Sequence, residues 1–227
     1  MVLEHIGTDL NVALTTSGSS FNDGADYLFH WLASVGQKPF EPLPYLFLFG
    51  PQNSGKSILH EGYEQLVTGG VVKADRALTS RSDFNGELEN AILCVVEEKD
   101  IANAPGAYAK IKDAVTATRL SIRRMRTDSY MVDNTTHWIQ CANSQDACPV
   151  FDSDTRIQPI YVGPLAKEIP KPILLERLRD EAPKLTYALQ TATIPRPEGR
   201  LALPLIRTAT RDRLTARNMP DLIVGIA

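Results

Sequence analysis

Apolar and polar positions along this chain follow two rhythms. Between positions 45 and 162, short apolar runs recur at Tyr45–Phe49, Ile92–Val96, Trp138–Ala142 and Ile160–Val162, with Val71-Val72 as a weaker fifth. A run apolar at consecutive positions presents apolar side chains to both faces of a strand, as burial under helices on each side requires. Helix-compatible segments separate the runs. The pattern therefore predicts an α/β domain with a central, mostly parallel five-stranded sheet flanked by helices. Elsewhere the spacing changes. Leu28, Trp31 and Leu32 predict a short amphipathic helix over Tyr27–Leu32, stopped by the proline-flanked stretch Phe40–Pro44. Residues 7–24, rich in Gly, Ser, Thr and Asn, read as a loose, turn-rich lead-in. Leu120–Arg123 and Tyr130–Val132 are strand-like, and polar Thr127-Asp128-Ser129 joins them as an inserted β-hairpin. Beyond Pro164 the chain reads as helical over Ile173–Leu178 and Leu185–Leu189. It breaks at Pro195, Pro197 and Gly199, then resumes over Ile206–Arg217. The expected organisation is a lead-in and helix over 1–40, a core over 41–165, and a helical part of the same domain over 166–227.

Composition narrows the function classes. With 43% hydrophobic and 22% charged residues, a disordered or collagen-like chain is excluded. No apolar run approaches the ~20 residues that span a bilayer. Acidic Glu4 and the missing basic lead argue against a signal peptide, and three cysteines at irregular spacing suit reduced thiols, so a cytoplasmic setting is expected. A net charge of −3 argues against gross electrostatic binding to nucleic acid while leaving room for a local basic patch.

The segment Gly50-Pro51-Gln52-Asn53-Ser54-Gly55-Lys56-Ser57 matches the phosphate-binding loop pattern in full and sits between a strand and a helix-compatible stretch, Ser57–Leu66. The spacing has a chemical reason. Glycines let successive N–H groups turn inward around phosphates, and the following helix start adds a positive dipole end. Lys56 is placed to reach the β- and γ-phosphates, and Ser57 to ligand Mg²⁺. Such a loop needs carboxylates at the end of a neighbouring strand, and Glu97-Glu98 follows the run Ile92–Val96. By position Glu97 is assigned to the metal, through water, and Glu98 to the base that takes the proton of attacking water. ATP and Mg²⁺ are the expected cofactors. Small-molecule kinases also carry an acidic strand end, so a P-loop phosphotransferase is an alternative, as is an ATP-binding scaffold or loader that does not unwind.

The order of elements resembles superfamily 3 helicases, and more closely the helicase domain of phage- and plasmid-type primase-helicases. The matching pieces are His30–Ala33, Tyr45–Ser57, Glu97-Glu98, the region Lys112–Val132, and Trp138–Asn143 followed by Phe151-Asp152 and Arg156. The resemblance implies an AAA+-related P-loop ATPase that forms a ring, commonly a hexamer, and moves on single-stranded DNA in a replication module, in the cytoplasm of a bacterial host if a phage or plasmid encodes it. It implies that Asn143 is the polar sensor positioning attacking water and that Arg156 is an arginine finger reaching a neighbouring subunit's nucleotide. The alternatives are a strand-capping turn former for Asn143 and a local salt bridge with Asp152 or Asp154 for Arg156. The family's primase or polymerase part has no counterpart in these residues. The chain is then an excised domain of a longer parent or a stand-alone ATPase.

Residues 110–126 reverse the chain's sign, with Lys110, Lys112, Arg119, Arg123, Arg124 and Arg126 against Asp113. On a hairpin, Arg124 would share a face with Arg126, and Arg119 with Arg123. Arg123, Arg124, Arg126 and Lys112 are the candidate contacts to DNA phosphates; a solvated edge strand is the alternative. Lys73 and Arg76 are the reserve candidates. A zinc site at His137, Cys141 and Cys148 is set aside, because His137 and Cys141 four residues apart on a strand stand ~13 Å apart. Cys94 and Cys141 read as small core residues, and His30 and His60 as isolated helix-surface residues.

Overall fold

A strand such as Tyr45–Phe49, with no polar position, is stable only between apolar layers. The computed structural model describes residues 1–17, 19–80, 82, 84–197 and 199–218, so residues 219–227 of the expected C-terminal part lie outside the described residues. In chain order the strands are β1 (Tyr45–Phe49), β2 (Val71–Lys73), β3 (Leu93–Glu97), β4 (Arg119–Ile122), β5 (Tyr130–Asp133), β6 (His137–Ala142) and β7 (Ile157–Tyr161). The expected five-stranded sheet forms in the order β2-β3-β6-β1-β7. Every pairing in it is parallel. β1 and β6 are buried along their whole length. β7 carries Pro159, which donates no ladder bond; the strand tolerates it because β7 is an edge that pairs with β1 alone.

The helices are α1 (Val2–Gly7), α2 (Asn11–Ser17), α3 (Gly24–Gln37), α4 (Ile58–Glu64), α5 (Asp75–Thr79), α6 (Ala107–Thr116), α7 (Lys171–Thr191) and α8 (Ala209–Arg217). They cover the sheet from both sides. Leu46 and Leu48 pack on the side of Trp31, Leu59, Tyr63 and Leu189. Tyr45, Phe47 and Phe49 pack on the side of Leu78, Ile111, Trp138 and Leu214. The alternation along β1 thus splits the apolar interior into two layers with the sheet between them.

Several boundaries differ from the sequence reading. Residues 7–24 are not a loose lead-in: α1, a 3₁₀ turn over Thr8–Leu10 and α2 occupy most of them. Ile6, Leu10 and Leu14 recur every fourth position and are buried in the layer of α3. Thr8, Thr15 and Thr16 donate their hydroxyls to carbonyls four residues back, which lets polar residues sit in these turns. Gly7 and Gly24 touch backbone to backbone, and a Cβ on Gly24 would stand 1.9 Å from the Gly7 oxygen. α3 is longer than the expected Tyr27–Leu32 because the Asp23 carboxylate accepts the Asp26 N–H and caps it early. The two expected helical stretches beyond Pro164 merge into α7, with Pro183 inside it. α8 starts at Ala209 rather than Ile206, because Thr208 caps it by accepting the Arg211 N–H.

The inserted hairpin forms, with β4 and β5 antiparallel. Its connection covers residues 123–129, not only Thr127–Ser129. Arg123, Arg124 and Arg126 therefore lie past the strand end, and the expected division of arginines between strand faces does not apply to them. Lys112 stands on α6 rather than on the hairpin.

Candidate functional site

Residues 50–57 link β1 to α4. The loop leaves the strand with Gly50 at φ 153°, and a Cβ there would lie 2.1 Å from the Val162 carbonyl oxygen. Only glycine allows the loop to approach the residue after β7 this closely. Asn53 adopts φ 59°, a left-handed conformation asparagine tolerates. Lys56 is buried, 7% exposed, with its ammonium inside the loop. It donates to the carbonyls of Gly50 (3.0 Å) and Pro51 (2.7 Å), to Ser54 Oγ (3.2 Å) and to Asn143 Oδ1 (3.3 Å). Burial lowers its pKa, opposed by the nearby Glu98 charge. Ser57 caps α4 without a side-chain capping bond, so its hydroxyl is not committed there. On the outer side, His5 Nε2 lies 2.9 Å from the Ser54 carbonyl, tying α1 to the loop.

Asn143 follows β6, the strand between β1 and β3. Its contact with Lys56 brings together two residues 87 positions apart. Glu97 closes β3, and exposed Glu98 leaves it at φ 51°. Lys56, Asn143, Glu97 and Glu98 thus stand at the carboxyl ends of three adjacent parallel strands, where ligands bind in open α/β sheets. Both Glu97 oxygens have neighbours: His60 Nε2 at 3.3 Å from Oε1 and Lys73 Nζ at 3.1 Å from Oε2. Partial burial resists Glu97 ionisation, but the hydrogen bond from Lys73 and the charges of His60 and Lys73 outweigh it and lower the pKa. His60 corrects the sequence reading. It is not a helix-surface residue but is buried at 6% exposure, because its face of α4 turns toward the end of β3. Sequence reasoning missed His60, Lys73 and His5 as neighbours of this region. The i+3 spacing of His60 from Ser57, one turn along the same helix face, was the available signal.

Other candidates fall elsewhere. Arg156 precedes β7, at the amino end of the sheet; its carbonyl accepts the Tyr45 N–H at the start of β1. One strand length, ~16 Å for five residues, separates it from loop 50–57. Its Nε is buried without a hydrogen bond. Asp154 instead accepts the Arg156 and Ile157 N–H groups and the Tyr108 hydroxyl, and no Arg156 ion pair occurs among the described residues. The hairpin also sits toward the amino ends of β3 and β6. Asn85 stitches it down, donating to Ser121 O and accepting from Arg123 N. Glu89 pairs with Arg124 and also takes a hydrogen bond from Tyr130. Arg123 lies 5.4 Å from the Phe84 ring, and Lys112 5.3 Å from the Tyr108 ring. Arg119 pairs with Asp133 at 3.7 Å. Arg126 is exposed at φ 61° and makes no ion pair among the described residues. The three cysteines are buried and free. No described helix is long and apolar enough to cross a membrane.

Three comparisons bear on this arrangement. A model of a family of unknown function, DUF5906, matches residues 48–156. That window opens within β1 and ends at Arg156, enclosing every candidate named above. No curated protein matches the chain. Among solved structures, the chain is similar to the apo C-terminal region of NrS-1, with a TM-score of 0.74 and 16% identity over 97% of this chain and 52% of that one. Two A-form apo structures of that region give TM-scores of 0.72 and 0.69 at the same identity, covering 96% and 97% of this chain and 51% of theirs. The likeness is one of fold, and this chain spans about half the length of those structures.

Proposed function

We propose that the chain is an AAA+-like P-loop ATPase of the superfamily 3 helicase kind, working as a ring, commonly a hexamer, that couples ATP hydrolysis to movement on single-stranded DNA in replication. The observation that carries this reading is the convergence of Lys56, Asn143 and Glu97-Glu98 on one end of adjacent parallel strands. In it, the N–H groups of residues 52–57 surround the β- and γ-phosphates. Lys56 exchanges the Gly50 and Pro51 carbonyls for phosphate oxygens and remains within reach of Asn143. Glu98 accepts the proton of the attacking water, and Asn143 holds that water against the γ-phosphate. The hard oxygen donors of Ser57 and Glu97 fit Mg²⁺, which when bound neutralises charge on the phosphates. Arg156, a strand length from its own loop, acts on the nucleotide of a neighbouring subunit. The hairpin arginines grip DNA phosphates at the opposite end of the sheet, so coupling passes along β3 and β6.

Glu98→Gln tests the chemistry. A carboxamide cannot take the proton, so ATP binding persists while turnover falls by roughly 10²–10⁴-fold. Unchanged turnover would remove Glu98 as the base and leave Glu97 as the candidate.

A further inference from the structure

α4 and the end of β3 bring His60, Glu61 and Glu97 together, with one ligand-capable atom from each within 4.8 Å of the others. The His60 side chain is 7% exposed, and its Nε2 makes no hydrogen bond although it stands 3.3 Å from Glu97 Oε1. Two lysines hold the carboxylates from outside: Lys171 lies 2.6 Å from Glu61 Oε1, and Lys73 lies 3.1 Å from Glu97 Oε2. Glu61 Oε2 is buried and has no hydrogen-bond partner. A buried imidazole nitrogen and a buried carboxylate oxygen are thus left facing a polar cluster without donors of their own.

We propose that His60, Glu61 and Glu97 form a binding site for a borderline divalent transition metal, with Zn²⁺ the best-matched occupant. Imidazole with two carboxylates is a zinc-type donor set, whereas Mg²⁺ prefers oxygen alone. The 3.3 Å between His60 Nε2 and Glu97 Oε1 equals the edge of a tetrahedron with ~2.0–2.1 Å metal–ligand bonds, which is ~3.3 Å. Rotation of the Glu61 carboxyl closes the wider distances. The partly exposed carboxylates leave an entry path. Lys73 and Lys171 act as outer partners that orient the carboxylates. One consequence rests on the phosphate-loop reading: bound Zn²⁺ engages Glu97 and withholds it from Mg²⁺, so zinc inhibits hydrolysis.

Co²⁺, added to the full chain and followed by visible d–d absorption, tests the site directly. The expected result is a band that saturates at one ion per chain and is displaced by Zn²⁺. His60→Gln and Glu61→Gln should each weaken Co²⁺ binding by more than the roughly 10–100-fold that losing an outer partner costs. Should His60→Gln fail to fold, Glu61→Gln, at a partly exposed position, carries the test. Absence of a band in the wild type, or equal affinity in the folded variants, overturns the site. A second readout separates this proposal from the ATPase reading. Zn²⁺ should slow wild-type ATP turnover at the concentrations that displace Co²⁺. A Co²⁺ band in a protein that hydrolyses no ATP supports the metal site and counts against the phosphate reading, whereas ATP turnover without a Co²⁺ band overturns the metal site alone.

Discussion

Lys56 donates to two carbonyls, a hydroxyl and an amide oxygen, more acceptors than its three N–H bonds can serve at once. The bonds are shared, which suits their exchange for phosphate oxygens in the proposed nucleotide complex. Lys56→Ala should cost roughly 10²–10³-fold in turnover, comparable to losing one preorganised donor, as measured by phosphate release. His137 makes a prediction of a different kind. Burial pushes its pKa down to about 4, against about 6.5 when unfolded. As pH falls, the unfolded chain takes up the proton first. The contribution to stability is therefore present above pH ~6.5 and lost as pH falls through ~4, up to about 3 kcal/mol. Urea unfolding at a series of pH values should show a shallower decline for His137→Phe than for the wild type; equal declines would mean that His137 does not report this burial. At this scale the placement of loop 50–57 after β1 and of Glu97-Glu98 at the end of β3 was legible, because each follows directly on an apolar run. The burial of His60 was not, since it depends on the end of β3, 37 positions further along the chain.

The strands were legible as elements because β1 is apolar throughout, β3 up to its closing Glu97, and β6 from Trp138 on except for Gln140, a pattern that exposed segments do not show. Strand order was not, since nothing local states that β6 inserts between β1 and β3. α1 and α2 were hidden for another reason: Thr, Ser and Gly content resembles a loop, while three buried residues four apart fix the fold. The hairpin shows how a connection can mislead. Its arginines look interchangeable in sequence, yet Glu89 engages Arg124 while Arg126 stands exposed. Arg126→Ala should flatten the salt dependence of single-stranded DNA binding by ~0.7 in log–log slope, with the hairpin intact. Asn85→Ala removes the two side-chain hydrogen bonds that Asn85 makes to the hairpin. It should raise hydrogen exchange across residues 119–133 and weaken DNA binding without changing ATP affinity. An unaltered salt slope in Arg126→Ala would mean that the exposed arginine faces only solvent.

Across the whole molecule, the two ends of the sheet carry different groups, with loop 50–57 and the Glu97-Glu98 carboxylates at one and Arg156 and the hairpin at the other. A single copy cannot bring Arg156 to its own loop across ~16 Å of strand, so an Arg156 role in hydrolysis requires a second copy. Arg156→Ala should bind ATP normally and hydrolyse it ~10³-fold more slowly. Mixing it with Lys56→Ala should recover activity, because some mixed interfaces carry an intact loop facing an intact arginine. No recovery in rings shown by mass to be mixed would leave Arg156 a structural residue of the β7 edge. The central claim, that nucleotide hydrolysis at loop 50–57 serves movement on DNA, is tested most directly by one measurement: steady-state ATP turnover of the wild type with and without single-stranded DNA. The account predicts turnover that rises with added single-stranded DNA and saturates. Turnover that ignores DNA, or depends instead on a small-molecule acceptor, would contradict it.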